Sequence, residues 1–209
     1  MRKWGKIVCV MWMFILLLSG CYFSEPVEPD YFDVLESGLG LSEDAAERRY
    51  QFDQGRMEVE RPGRTIWYPA ETVKIAGYDS ELRLEFEFEK GTNKLIEVDY
   101  IIPISGEGEE LARGTYDAML AVFYQLEDDF GAIGDPEPGA LYGRPEIPDL
   151  YESFENFYEK RFVRQENYSI ESYWYLDEYG EGKHAGMQVL SYWEEKETTI
   201  TVWFASDWD

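Results

Sequence analysis

The sequence predicts an α+β fold: mostly one antiparallel sheet of about six strands, in two runs of three, with two main helices packed on one face. Three observations predict it. Residues 82–89 alternate apolar and charged side chains, and the next segment does the same with Ile96, Val98, Tyr100 and Ile102 inward and Glu97 and Asp99 outward. A period of two is that of a strand, and alternation this clean means one dry and one wet face, the antiparallel habit. Residues 107–130 and a second segment near Phe154 space their apolar residues by three and four, the amphipathic helix period. Strands come in runs separated by helices, which favours α+β over a doubly wound sheet.

In chain order, residues 31–35 predict a short helical turn. A short helix follows, with Ser42 as N-cap, Glu43 and Asp44 at its positive start and Arg48 and Arg49 at its end. Residues 64–77 mix β-formers with Pro69 and close on Gly77, and residues 72–76 are the predicted strand. Strand 82–89 carries Leu82, Leu84, Phe86 and Phe88 inward, and a turn at residues 90–93 leads into its partner. In helix 107–130 the inward residues are Leu111, Tyr116, Met119, Leu120, Phe123 and Leu126. Gly114 weakens the first turns, so the firm part is expected from about Thr115. Residues 135–148, rich in proline and glycine, form a turn-rich connection. A second helix is expected with Leu150, Tyr151, Phe154, Phe157 and Tyr158 on one side and Lys160 and Arg161 at its end. The chain returns to strands at about 169–176, 186–194 and 198–205, the last with Ile200, Val202 and Phe204 inward.

The amino terminus has a different character. Arg2, Lys3 and Lys6 precede an uncharged apolar run over residues 7–18, then Ser19, Gly20 and Cys21. This is the pattern of a secretory signal peptide, and the run is short of the ~20 residues that cross a bilayer as a helix. The tetrapeptide Leu18-Ser19-Gly20-Cys21 resembles the lipobox of bacterial lipoprotein precursors. The resemblance implies a diacylglycerol on the Cys21 sulfur and cleavage between Gly20 and Cys21. The mature protein would then sit lipid-anchored on the extracytoplasmic side of a bacterial membrane. Two acyl chains make such attachment stable, at ~0.8 kcal/mol per buried methylene. Residues 21–30, with Pro26, Pro29 and three acids, read as a tether of at most ~30 Å. Residues 31–209 form the single domain.

Without residues 1–20 the chain keeps 16 Lys and Arg against 43 Asp and Glu, a charge of about −27. Such a surface cannot neutralise phosphates, so nucleic acid is excluded as a partner. The 17% aromatic content argues for a packed domain despite the charge. Cys9 lies in the signal peptide and Cys21 takes the lipid, which leaves no disulfide, thiol nucleophile or cysteine metal site.

No phosphate loop, activated serine motif or zinc spacing is present. His184, the single histidine, lies in a glycine-rich segment that reads as a solvated hairpin loop. A carboxylate hydrolase needs two acids across a substrate, one with its pKa raised by burial. Glu85, Glu87, Glu97 and Asp99 fall on faces expected to be wet, where carboxyls keep ordinary pKa values. Lying opposite or diagonal to one another, these acids would repel, and a cation or basic partner would relieve them. Glu127, Asp128 and Asp129, with Asp177 and Glu178, are acid clusters to which Ca²⁺, the one cofactor entertained, could bind, although neither has the alternation of a calcium loop. The aromatics Trp174, Tyr175, Tyr192 and Trp203 concentrate in the final strands. Period two sends Trp174 and Tyr175 to opposite faces, so one set fills the core and the other is either covered by the N-terminal segment, the favoured account, or exposed as a surface for a sugar or peptide. The reading is a non-catalytic, membrane-anchored binding module for an envelope protein or a small extracellular ligand. The alternatives are a cation- or small-ligand-binding lipoprotein serving a transporter or sensor and, third, a carboxylate-based hydrolase.

Overall fold

The computed structural model describes residues 31–50, 55–70, 72–89, 91–131, 153–159, 168–192 and 197–206. The predicted signal peptide with Gly20 and Cys21, the tether, the 135–148 connection, Leu150, Tyr151, Lys160 and Arg161 lie outside the described residues. The described chain is α+β, one antiparallel sheet with a long helix and short helices packed against it. It opens with α1 (Tyr31–Asp33), which runs into a π-helical turn (Val34–Gly38), and α2 (Glu43–Tyr50). Strands β1 (Arg56–Arg61), β2 (Arg64–Tyr68), β3 (Thr72–Ile75), β4 (Tyr78–Glu89) and β5 (Thr92–Ser105) follow. Helices α3 (Gly108–Phe130) and α4 (Phe154–Tyr158) then lead to β6 (Tyr168–Tyr175), β7 (Lys183–Tyr192) and β8 (Glu197–Ser206).

The strand order is β1-β2-β4-β5-β8-β7-β6, with β3 also pairing β4. Pairing of β5 with β8 joins the two predicted strand runs into one sheet. Among the described residues eight strands stand where about six are expected, because the stretch before residue 72 supplies β1 and β2. Both β2 and β3 pair with β4, at Leu84–Glu87 and Tyr78–Glu81 respectively. They are in effect one strand broken near Pro69, whose missing N–H cannot serve a ladder.

One face of the sheet is dry. Leu82, Leu84 and Phe86 of β4, Val98, Tyr100 and Ile102 of β5, Met187 and Val189 of β7, and Ile200, Val202 and Phe204 of β8 are buried. Leu111, Ala112, Thr115, Met119, Val122 and Leu126 of α3 pack into the same core. The helix runs unbroken from Gly108 through Gly114 rather than firming at Thr115. A Cβ on Gly114 would sit 3.4 Å from Ile104 Cγ2, an ordinary van der Waals contact, so packing against β5 carries the helix through a residue of poor propensity. Tyr31 from α1 stacks on Phe204 at 5.0 Å and meets Tyr100 edge-on at 6.1 Å, which closes one end of the core. The second helix is described over only five residues, capped by the Ser153 hydroxyl accepting from Asn156 N at 3.1 Å, and its Phe157 packs on Tyr116 at 5.4 Å.

Two inward assignments fail locally. Phe86 pairs with Leu95 and Glu85 with Glu97, so Ile96 is the extra residue of a β-bulge and is half-buried, while Leu95 takes the core position. Phe88, at the end of β4, is 57% exposed, and it joins Met57 and Val59 of β1 as an exposed apolar residue.

Candidate functional site

The opposite sheet face, expected to be wet, is partly closed. Glu85 is 1% exposed and Asp99 is 2% exposed, against the expectation that these acids are solvated. The cause is a row of side chains set by strand register. Arg83 of β4 lies across from Asp99 of β5, Asp99 from Trp203 of β8, Trp203 from Gly186 of β7, and Gly186 from Tyr173 of β6. The indole of Trp203 lies over Gly186, where a Cβ would come 2.1 Å from its Cζ2. Tyr173 meets the same indole edge-on at 5.3 Å. An indole and a guanidinium therefore flank Asp99 from the neighbouring strands, while Glu85 is held by Arg83 and Arg64.

On one side of this row stand Glu85, Glu97, Ala205 and His184, each opposite the next. On the other stand Ile101, Thr201, Gln188 and Glu171. Together with Tyr68, Leu190 and Thr199 these strands enclose a depression of about 590 Å³. That lies in the ~300–1,000 Å³ range of small-molecule sites.

The charges in it are unequal. Arg83 reaches Glu85 at 2.7 Å, Glu97 at 3.4 Å and Asp99 Oδ2. Arg64 pairs with Glu85 and, at 3.4 Å, with Glu60. The repulsion expected between opposed acids is thus relieved from within, by two guanidiniums, but not fully. Asp99 Oδ1 is buried and no donor reaches it. Burial pushes the Asp99 carboxyl well above the usual carboxylate range, the Glu97 charge pushes the same way, and Arg83 only partly opposes them. Burial also works against the charge on Arg83, but Asp99 and Glu97 more than offset it and its pKa stays raised. On β6, the Glu171 carboxylate accepts from Tyr173 Oη at 2.9 Å and from Gln188 Nε2, two residues that line the depression.

His184 is not in a loop. Strand β7 begins at Lys183, paired with Ser206, which puts His184 in the second strand position, half-buried in the depression wall with Nδ1 donating to Gly182 O at 3.3 Å. Of the aromatic candidates, Trp203 lines the depression and Tyr175 is 58% exposed. Trp174 is corrected to the core: it is 2% exposed, donates Nε1–H to Gly131 O at 2.9 Å and touches Phe123 at 6.0 Å. The Tyr192 side chain lies outside the described residues. Sequence reasoning did not select Tyr173, Arg83 or Gln188 as site residues, although strand parity puts each on the face it occupies.

The acid clusters lie away from this depression. Glu127, Asp128 and Asp129 occupy the last turns of α3, and Asp177 and Glu178 belong to a 3₁₀ turn (Asp177–Tyr179). Phe32 touches both Phe130 and Tyr179, at 5.4 and 5.7 Å, so the two segments meet at one end of the molecule. Among the described residues no group of three His, Cys, Asp or Glu could hold a metal ion. No helix among them is long and apolar enough to cross a membrane. Comparison with known protein families, with curated proteins and with solved structures returns no match to this chain.

Proposed function

We propose that this chain is an extracytoplasmic, lipid-anchored binding module, non-catalytic, whose ligand surface is the depression on the sheet face opposite α3. The observation that carries the reading is the transverse row Arg83, Asp99, Trp203, Gly186 and Tyr173. It combines fixed aromatic surface with a buried, incompletely satisfied carboxylate, the pairing of apolar walls and a few placed polar groups that small-ligand sites share. The anchor rests on Leu18-Ser19-Gly20-Cys21.

Photo-crosslinking in intact cells tests the surface. A photoreactive residue at position 201, in the depression, is expected to give adducts, read as crosslinked protein or as a mass increment on the chain. The same residue at position 117, on the exposed side of α3, is the control. Adducts from position 117 with none from position 201 would refute the assignment. The anchor has its own test. Cys21→Ser is expected to leave the chain without acyl label and with its first twenty residues uncut; normal acylation and processing of the variant would discard the lipoprotein reading.

A second reading draws on one observation. Asp99 is a buried carboxyl pushed upward beside Glu97, the kind of group a hydrolase uses as its acid. Against it, Arg83 Nη1 binds both carboxylates, which holds them together rather than across a scissile bond. Turnover of any glycoside or ester that is lost in Asp99→Asn would favour the hydrolase.

A further inference from the structure

We infer that the depression holds a small organic cation, an ammonium or guanidinium group seated between Asp99 and Glu97, with its carbon skeleton against Trp203 and Tyr173. The inference rests on the binding reading above and names the ligand class. Its starting point is the unpartnered oxygen. Arg83 occupies Asp99 Oδ2, while Oδ1 is buried with no donor. The neighbouring Glu97 brings only more acceptor oxygens. Two carboxylates cannot satisfy each other, so what fits between them is a proton or a positively charged N–H donor. A desolvated carboxylate without a donor is expensive, and a site that leaves one gains most from a ligand that supplies it.

The rest of the lining selects among cations. Arg83 already stands at the carboxylates and repels any cation, a doubly charged one about twice as strongly as a singly charged one, and among the described residues no three metal-ligating groups converge. The other walls include the indole of Trp203, the ring of Tyr173, Leu190 and Thr201, with His184 and Gln188 from β7. Aromatic faces attract organic cations through the ring quadrupole and also cover their methylenes. The indole is held flat because β7 has a glycine beneath it. An anionic ligand would meet Glu97 and Asp99 at once.

The proton is the natural competitor. The titratable and charged groups that line the depression with Asp99 are Tyr68 from β2, Arg83 from β4, Glu97 from β5, His184 from β7 and Tyr173 from β6, with Glu85 joined to them through Arg83; β8 brings only uncharged groups. Burial and Glu97 favour the protonated carboxyl in the empty protein. Wherever Asp99 holds a proton, a cation must displace it. Its affinity therefore rises with pH through the raised Asp99 titration and falls on acidification.

The test is titration calorimetry on the full-length chain in neutral detergent. The probes are n-butylammonium, n-butylguanidinium and 1,4-diaminobutane, with n-butanol, Ca²⁺ and a lysine-containing tetrapeptide as contrasting arms. At least one free amine or guanidine is expected to bind one-to-one, while butanol does not. Two buffers of different ionisation enthalpy are expected to reveal proton release on binding. Affinity is expected to fall at least tenfold in Asp99→Asn and several-fold in Glu97→Gln, in variants whose melting shows them folded. His184→Gln is expected to keep the pH dependence, which assigns it to the carboxylates.

Binding that is equal for butanol, confined to Ca²⁺, or unchanged in both carboxylate variants would overturn the inference. Binding of the lysyl peptide alone would overturn the small-ligand assignment and put the cation on a partner protein. If no cation binds while position 201 still crosslinks, the ligand class is wrong and the binding surface stands. If both experiments fail, both readings fall.

Discussion

Arg83→Leu is expected to lower the unfolding free energy by about 3 kcal/mol, the low end of what removing one partner of a buried pair costs. The low end applies because Arg83 and Glu97 keep some contact with water, at 20% and 27% side-chain exposure. What the variant leaves behind causes the loss. Glu85 retains Arg64, but Asp99, 3% exposed at its side chain, loses its one charged donor. For a domain of this size about 3 kcal/mol is roughly a 6–12 °C drop in melting temperature.

The deficit has a sign in pH. Arg83 pulls the Asp99 titration down and burial pushes it up. In the variant only the upward influences remain, so the folded variant binds its proton still more tightly. At neutral pH, where unfolded carboxyls are ionised, the variant is penalised most. As pH falls through the raised Asp99 titrations, the folded carboxyl takes its proton in both proteins and the difference shrinks. Melting of wild type and variant at pH 7.5 and at pH 4.5 checks this. A deficit that grows on acidification would mean that Arg83 acts through packing rather than through charge. Replacing Arg83 and Asp99 together by leucines is expected to recover much of the loss, because no unpaired charge then remains buried.

That cluster marks the limit of what the sequence discloses. Alternation places Leu82, Leu84 and Phe86 on one face and Arg83, Glu85 and Glu87 on the other, and the structure agrees. Parity says which face a residue takes; it does not say whether that face is covered. Coverage came from register between β5 and β8, segments about a hundred residues apart, which put Trp203 beside Asp99. Turn chemistry misled at β7: Gly180 and Gly182 suggested a loop reaching residue 185, whereas antiparallel pairing with Ser206 captures the chain from Lys183 onward. The bulge at Ile96 was equally hidden, since one extra residue leaves a plausible alternation on either side of it. Trp174 shows the converse. Its opposition to Tyr175 was legible, but which of the pair faced the core depended on the docking of α3, whose end supplies the Gly131 carbonyl it caps.

Gly186→Ala is expected to be the most damaging single-methyl change in the site, at about 2 kcal/mol of stability, within the range measured for overpacked positions. A Cβ there would lie 2.1 Å from Trp203 Cζ2, 2.4 Å from Cε2 and 2.5 Å from Cη2. A shift of a few tenths of an ångström cannot relieve three such contacts, and an aromatic ring does not bend. The indole must swing off the strand, leaving Asp99 without its cover from β8 and losing its edge contact with Tyr173. Stability and ligand affinity should therefore fall together. Trp203→Ala removes the obstruction and makes the added methyl harmless, so the double variant is expected to be no less stable than Trp203→Ala alone. The resulting coupling, about 1–2 kcal/mol in denaturant unfolding of the four proteins, is a direct measure of the contact. Additive losses would mean that the glycine is needed for the β7 backbone itself and not as a seat for the indole, and the aromatic wall of the depression would then be an accident of packing rather than a built surface.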